Sequence, residues 1–290
     1  MVAGQFSWDW PILLEEFLFG VSAGLFIVAA LLSLKDWERN ARVCRVVFPL
    51  SAALAVVGMV TLVAELGRPE RAANAILNLL TLGTSVMSRT VPVLMAFVIL
   101  SVVTTLFWIK PTAAKPVRRF FEVVGLLSAF PAGMQAGILL MAASKRPLWE
   151  TPVLPYLYLF TGILSAIGVV GLLIVRNQKT YNEYSSLLLS MTTYTLYLLP
   201  FVGVITAAHL IAVESPRAVL NLLTNPFPLA APAFYIGYLF VGLGMPAAHG
   251  YIAFTAKQPL SRSILTRLFI SLIIGALALR ISLLYAGQLF

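Results

Sequence analysis

Eight apolar runs, at roughly 11–34, 46–66, 86–109, 121–143, 153–175, 187–213, 229–254 and 266–286, leave this chain few folds to choose from. Each is about 20 residues or longer, enough for a helix to cross the roughly 30 Å hydrocarbon core of a bilayer. In lipid every backbone amide must find its partner within its own segment, so uninterrupted runs of this length are helices. Of the 290 residues, 60% are hydrophobic and 11% charged, with a mean hydropathy of +0.94, far from a soluble globular average. The connections are short, about 10–20 residues, and leave no room for a soluble catalytic domain. The expected fold is an all-α integral membrane protein with eight transmembrane helices. Residues 1–10 carry only Asp9 as a charge. They lack the basic segment of a cleavable signal, so the first run reads as a mature helix.

The chain holds only two histidines. His209 lies toward one end of the sixth run and His249 toward the opposite end of the seventh, so they cannot clamp one haem between facing imidazoles. Cys44 stands alone, which excludes a disulfide framework and a thiolate-bound cluster or zinc site. The chain is therefore expected to carry no haem, no iron–sulfur cluster and no metal. Electrons, if it handles them, pass through a diffusible organic carrier or a partner subunit.

The net charge of +9 suggests nucleic acid until the charges are placed. Lys35, Arg39, Arg42, Arg45, Lys110, Lys115, Arg118, Arg119, Arg176, Lys179, Lys257, Arg262 and Arg267 fall in connections on one face, 13 of the 20 basic residues. The other face has Arg68, Arg71, Lys145, Arg146 and Arg217, while Arg89 and Arg280 lie within or at the edge of runs. The positive-inside rule puts the basic face in the cytoplasm and both termini on the periplasmic side of the cytoplasmic (inner) membrane. The excess is a topology signal and an attraction to anionic lipid, not a nucleic-acid footprint.

The two halves resemble each other. FLFGVSAGLFIVAALL from Phe17 parallels YLFTGILSAIGVVGLL from Tyr158, and ELGRPERAANAILNLL from Glu65 parallels HLIAVESPRAVLNLLT from His209. Four runs per half keep both halves in one orientation, so residues 1–145 and 146–290 are expected to form two parallel-repeat four-helix bundles. Gly20-x-x-x-Gly24 and Gly133-x-x-x-Gly137 read as close helix packing. Pro49, Pro92, Pro131, Pro200, Pro232 and Pro246 are expected to kink their helices.

Ionisable residues inside a span cost roughly 2.5–3.5 kcal/mol on insertion scales, so each needs a reason. Nearly all lie toward the charge-poor face. Glu16 shares a helical stripe with Gly20 and Gly24, which should face other helices. Glu65 ends the second run, Ser88 and Arg89 open the third, and Gln135 sits in the charge-poor half of the fourth. All belong to the first half and are candidates for one pocket. Bland readings stand beside this one. Glu16 is solvated by headgroups like Glu15, Glu65 pairs with Arg68 or Arg71, Arg89 snorkels, and Gln135 makes an interhelical hydrogen bond. His209 and His249 read as structural, Glu122 and His249 are the few candidates on the cytoplasmic side, and Arg280 must find a carboxylate or carbonyls. Taken together the cluster suits quinol oxidation, because a quinol sheds two protons with its two electrons. A poorly hydrated carboxylate can accept a proton near neutral pH. Glu16 and Glu65 are the expected acceptors, with Gln135, Ser88 and Arg89 as orienting donors.

Phe19-Gly20-Val21-Ser22-Ala23-Gly24, the run Leu66-Gly67-Arg68-Pro69-Glu70-Arg71-Ala72, then Asn78-Leu79 and Ser85-Val86-Met87-Ser88-Arg89 are similar to the signature of the NrfD-type membrane subunits of polysulfide reductase and their dimethyl sulfoxide reductase anchor relatives. The resemblance covers the whole chain. It implies a haem-free menaquinol site near the outer face of the first bundle. It also implies a docked ferredoxin-like subunit with four iron–sulfur clusters, usually followed by a molybdopterin catalytic subunit. Onto matching positions it carries Glu65, Arg68, Ser88 and Arg89, and more loosely Glu16. The polar residue that relatives contribute from the fourth span has no tyrosine to match it between 121 and 143, and Gln135 is placed there by depth alone. Two other readings remain: a secondary transporter, which predicts polar groups at the midplane between the halves, and a passive anchor that never touches quinone.

Overall fold

The computed structural model describes residues 10–65, 86–109, 114–143, 146–225, 229–256 and 261–288, and what it describes is helical with short connections. Helix α1 (Trp10–Glu65) has 56 residues, which at 1.5 Å per residue is far longer than a bilayer requires. It is broken at Asp36, whose backbone is extended (φ −159°, ψ 90°). The two arms, 10–35 and 37–65, fold back side by side, because the Ser22 hydroxyl donates to the Ser51 carbonyl at 2.8 Å and Ser51 returns the bond to Ser22 at 2.9 Å. Asp36 caps the second arm by accepting the Arg39 N–H at 3.1 Å, the role that short acidic side chains fill at helix starts. The Asn40 amide donates across the corner to the Leu32 carbonyl at 2.9 Å.

This corner revises an expectation. The stretch from Lys35 to Arg45 reads as a loop in the sequence, yet all of it except Asp36 is helical. Arg and Lys are good helix formers, and their long stems let a helix run on past the apolar core into the headgroup layer. For the same reason the helices Lys115–Ala142 and Arg262–Gly287 start ahead of their apolar runs.

The remaining elements are α2 (Val86–Ile109), α3 (Lys115–Ala142), α4 (Leu154–Val175), the short α5 (Gln178–Glu183), α6 (Ser185–Ala212) and α7 (Pro216–Thr224). The next is composite: α8 (Ala230–Pro232), a π-helical segment (Ala233–Gly244) and α9 (Met245–Ala256). Helix α10 (Arg262–Gly287) follows. Among the described residues seven helices are long and apolar enough to cross a membrane, counting the broken α1 once.

Glycine contacts set the central seam. A methyl group on Gly24 would strike the Gly162 carbonyl of α4, and one on Gly162 would meet the Gly20 carbonyl at 2.6 Å. The first arm of α1 and α4 therefore touch backbone to backbone, as small residues allow. The π segment lies equally close to α10, with Gly242 against Gly275. The connection 146–153 is tied to the last helix: the Trp149 indole N–H donates to the Leu283 carbonyl at 2.8 Å and Arg146 to the Gly287 carbonyl at 3.0 Å.

Candidate functional site

Beneath the charge-poor face, three buried ionisable side chains from three helices converge. Glu16 lies two turns into α1 and is 1% exposed, as is Glu15, so neither is bathed by headgroups. The Tyr158 hydroxyl, one turn into α4, donates to Glu16 Oε2 at 3.4 Å. Arg280, from α10, is fully buried within electrostatic reach of both. Its Nη1 donates to the Ala276 carbonyl at 2.9 Å and to Thr161 Oγ1 at 3.4 Å, and its Nη2 to the Tyr158 carbonyl at 3.2 Å. The guanidinium also stands 5.0 Å from the Tyr158 ring centre and 5.8 Å from that of Phe17, a range in which a cation is attracted to a π face.

The stripe Glu16–Gly20–Gly24 faces helices, as its spacing predicts, but its partners come from α4 and α10. Glu16 therefore stands at the seam between the two sequence halves and not inside the first alone. Gly20 also does more than let backbones approach: a methyl group there would overlap Arg280 Nη2. Neither Tyr158 nor the partners of Arg280 were legible in the sequence.

Gln135, in the charge-poor half of α3, is 1% exposed, and among the described residues neither its amide nitrogen nor its oxygen has a hydrogen-bond partner. Among the described residues no helix supplies the hydrogen bond that would make it a simple packing residue. Its neighbours in sequence are occupied differently, since Gly133 packs on Leu159 and Gly137 on Pro155 of α4. Arg89 is exposed in the first turn of α2. Glu65 and Ser88 have helical backbones. Their side chains, and the whole of Arg68, lie outside the described residues. Of the six expected site residues, only Glu16, Gln135 and Arg89 have described side chains.

A second buried charge cluster lies at the basic end, around Glu122, where the sequence offered few candidates. Arg118 and Glu122 of α3 are both fully buried and form an ion pair at 3.2 Å, one helical turn apart. Ser33 donates to Glu122 Oε2 at 2.9 Å and the Trp108 indole to Oε1 at 3.0 Å. The Arg118 guanidinium stands 4.7 Å from the ring centres of both Trp37 and Trp108. Arg118 is therefore not a loop cation, as the sequence suggests, but part of the interior. The i, i+4 spacing of Arg118 and Glu122 was the available signal.

Each histidine has a hydrogen-bond partner for its Nδ1. His209 Nδ1 shares a 2.7 Å hydrogen bond with Thr151 Oγ1, and His249 Nδ1 meets the Met245 carbonyl at 2.8 Å.

Comparison with known proteins gives these positions a family. The sequence model described as "Polysulphide reductase, NrfD" matches residues 2–290. The C subunit of polysulfide reductase from Wolinella succinogenes is 27% identical over 98% of this sequence and 95% of its own length. Protein NrfD of Escherichia coli is 28% identical over 62% of this sequence and 63% of its own. The NrfD homologue of Haemophilus influenzae is 24% identical over 97% and 94%. With the family model covering essentially every residue and a full-length relative aligned along its whole course, this multi-pass membrane protein belongs to the polysulphide reductase/NrfD family.

Proposed function

We propose that this protein exchanges electrons between menaquinol and an iron–sulfur subunit docked on its charge-poor face, and anchors that subunit to the membrane. As a member of its family it is a membrane subunit of a respiratory oxidoreductase complex. The broken α1 counts as two crossings, which makes eight in two bundles, 1–145 and 146–290, with both termini on the periplasmic side of the inner membrane. The docked partner is a ferredoxin-like protein with four clusters, completed by a molybdopterin catalytic subunit. The quinol is an exchangeable substrate, and the protein itself brings no haem or cluster to the reaction.

The observation that carries this reading is Gln135. A buried amide with both polar atoms unpaired loses about 1–3 kcal/mol for each group left unsatisfied, unless a ligand supplies the partner. An oxygen of a quinone ring fits that need, accepting from the amide nitrogen. Glu16 offers the second group. Gly133 packs near Ala23, and from that level the helical rise puts Gln135 about 3 Å and Glu16 about 10 Å nearer the charge-poor face. The offset in depth, about 7 Å, is within the reach of a quinone ring hydrogen-bonded at both of its oxygens.

On oxidation the substrate releases two electrons and two protons. Glu16 accepts one proton, with Tyr158 donating to its other oxygen and Arg280 supplying the countercharge that a buried carboxylate requires. Glu65 is carried as the second acceptor, with Ser88, Arg89 and Arg68 orienting the headgroup. Protons leave to the periplasmic side. The apolar surroundings exclude water, so the carboxylate is the base at hand. In a complex fed by another donor the same groups return protons to menaquinone.

The test is turnover of the assembled complex with a menaquinol analogue. Glu16→Gln should lower quinol-dependent turnover by about 10²- to 10⁴-fold, the range for losing a general base. Gln135→Leu should raise KM. In both, partner subunits should still co-purify. If Glu16→Gln, Glu65→Gln and Gln135→Leu all assemble and keep wild-type turnover, the protein is a passive anchor and the proposal fails.

A further inference from the structure

We propose that a cleft on the basic face, between the second arm of α1 and the end of α4, binds an anionic phospholipid, with its phosphate on Arg42 and one acyl chain along Val46, Val47 and Leu173. The inference rests on the membrane-spanning fold and is independent of the quinol reading.

The cleft has a volume of about 120 Å³, and Arg42, Val46, Val47, Leu173, Thr180 and Tyr184 are among its lining residues. Its floor is aliphatic, and Val46 at its lip is 49% exposed. Two of its three polar residues have already committed their hydrogens. The Thr180 hydroxyl donates to the Ile174 carbonyl at 2.7 Å and the Tyr184 hydroxyl to the Arg39 carbonyl at 3.0 Å. That leaves the exposed guanidinium of Arg42 as the recognition group. One of its nitrogens pairs with Glu183, and the planar fork with five N–H donors keeps others to offer. A guanidinium on the lip of an aliphatic slot matches a phosphate ester that continues into hydrocarbon.

Depth favours the same occupant. Val46 lies one helical turn, about 6 Å, deeper along the arm than Arg42, which is the order of the step from a lipid phosphate to its first methylenes. An aliphatic slot at that level is filled poorly by water and readily by an acyl chain. The surrounding charge then selects the headgroup. Arg39, Arg45, Arg176 and Lys179, each within three residues in sequence of a lining residue, are exposed, against Glu38 and Glu183. Basic pockets between transmembrane helices are where acidic headgroups collect.

The experiment uses the purified full-length protein in detergent, titrated with phosphatidylglycerol or with phosphatidylcholine of the same acyl chains, and native mass spectrometry to count retained lipid. The wild type should retain phosphatidylglycerol at least about fivefold better, and Arg42→Gln should lose about that factor, as expected for one interfacial cation. Glu183→Gln should retain more, because the guanidinium loses its competitor. Leu173→Trp, which fills the aliphatic slot, should weaken both lipids. Arg42 and Glu183 are exposed, so these two variants test recognition without disturbing the interior. Equal retention of the two lipids by the wild type, or unchanged phosphatidylglycerol retention in Arg42→Gln, overturns the proposal.

Discussion

The guanidinium of Arg280 occupies the space in which any side chain on Gly20 would stand. The two residues are 260 positions apart, yet each explains the other. The arginine can be buried because the glycine leaves a notch, and the notch persists because carbonyls of α4 and α10 hold the arginine in it. Gly20→Ala should push the guanidinium off those carbonyls and destabilise the protein by about 1–3 kcal/mol, the usual cost of overpacking. Gly203→Ala is the matched control, because a methyl group there meets nothing within 4 Å. It should stabilise the helix by up to about 1 kcal/mol. Thermal unfolding in detergent should therefore shift in opposite directions for the two variants.

Tyr158 and Glu16 should act as a unit. Removing the phenol hydroxyl with Tyr158→Phe leaves the carboxylate in place without this donor, and quinol turnover should fall by about tenfold, one hydrogen bond to a charged group. In the double variant with Glu16→Gln the tyrosine change should add almost nothing, since coupled groups are non-additive. Steady-state turnover of the four complexes of this cycle decides it, and additive losses would show that Tyr158 works elsewhere.

At the basic end, the ion pair of Arg118 and Glu122 predicts a different pattern. Either single change, Arg118→Met or Glu122→Met, strands a buried charge and should cost about 3–5 kcal/mol. Combining them should restore stability to within about 1–2 kcal/mol of wild type, because an apolar pair can replace a buried ion pair. Detergent unfolding measures all three. A double variant no better than the singles would mean that Ser33 and the tryptophans, not the pairing, dictate the need for charge.

Tyr184 gives a pH dependence outside the membrane-spanning segments. Burial pushes its hydroxyl above the ordinary value of 10.0, and the nearby Glu183 carboxylate acts in the same direction. A group whose ionisation is harder in the folded state contributes stability that is complete below its unfolded value and is lost as the pH climbs through the folded one. Stability should therefore decline above about pH 10. Tyr184→Phe should lose the bond to the Arg39 carbonyl at every pH and show a shallower alkaline decline. Unfolding midpoints collected from about pH 8 to about pH 11 test the slope.

The sequence made the helical class and the orientation of the Glu16 stripe legible, because that carboxylate shares its face with two glycines that favour helix packing, but it left burial of Glu16 open against solvation by headgroups. Tyr158 escaped notice for a physical reason: tyrosines near the ends of spans are common interfacial anchors, and nothing local marks one that turns inward. Apart from the Ala276 carbonyl of its own helix, the hydrogen-bond partners of Arg280 belong to α4, more than a hundred residues earlier, and no periodicity encodes them. Arg118 was misplaced because the apolar run begins after it, although its spacing to Glu122 already carried the pairing. The helical build of the connection around Asp36 was missed because hydropathy registers where lipid ends, not where a helix ends.

The anchoring of residues 146–153 has a bearing on biogenesis. The indole of Trp149 finds its carbonyl 134 residues later, at Leu283. At the usual pace of a ribosome, about 5–20 residues per second, that acceptor is made roughly seven to thirty seconds after the tryptophan. During this interval the middle of the protein is already in the membrane with its clasp still open. The molecule closes only when its final helix arrives, and a nascent polypeptide stalled short of that point would hold two loosely joined parts for quality-control proteases to find.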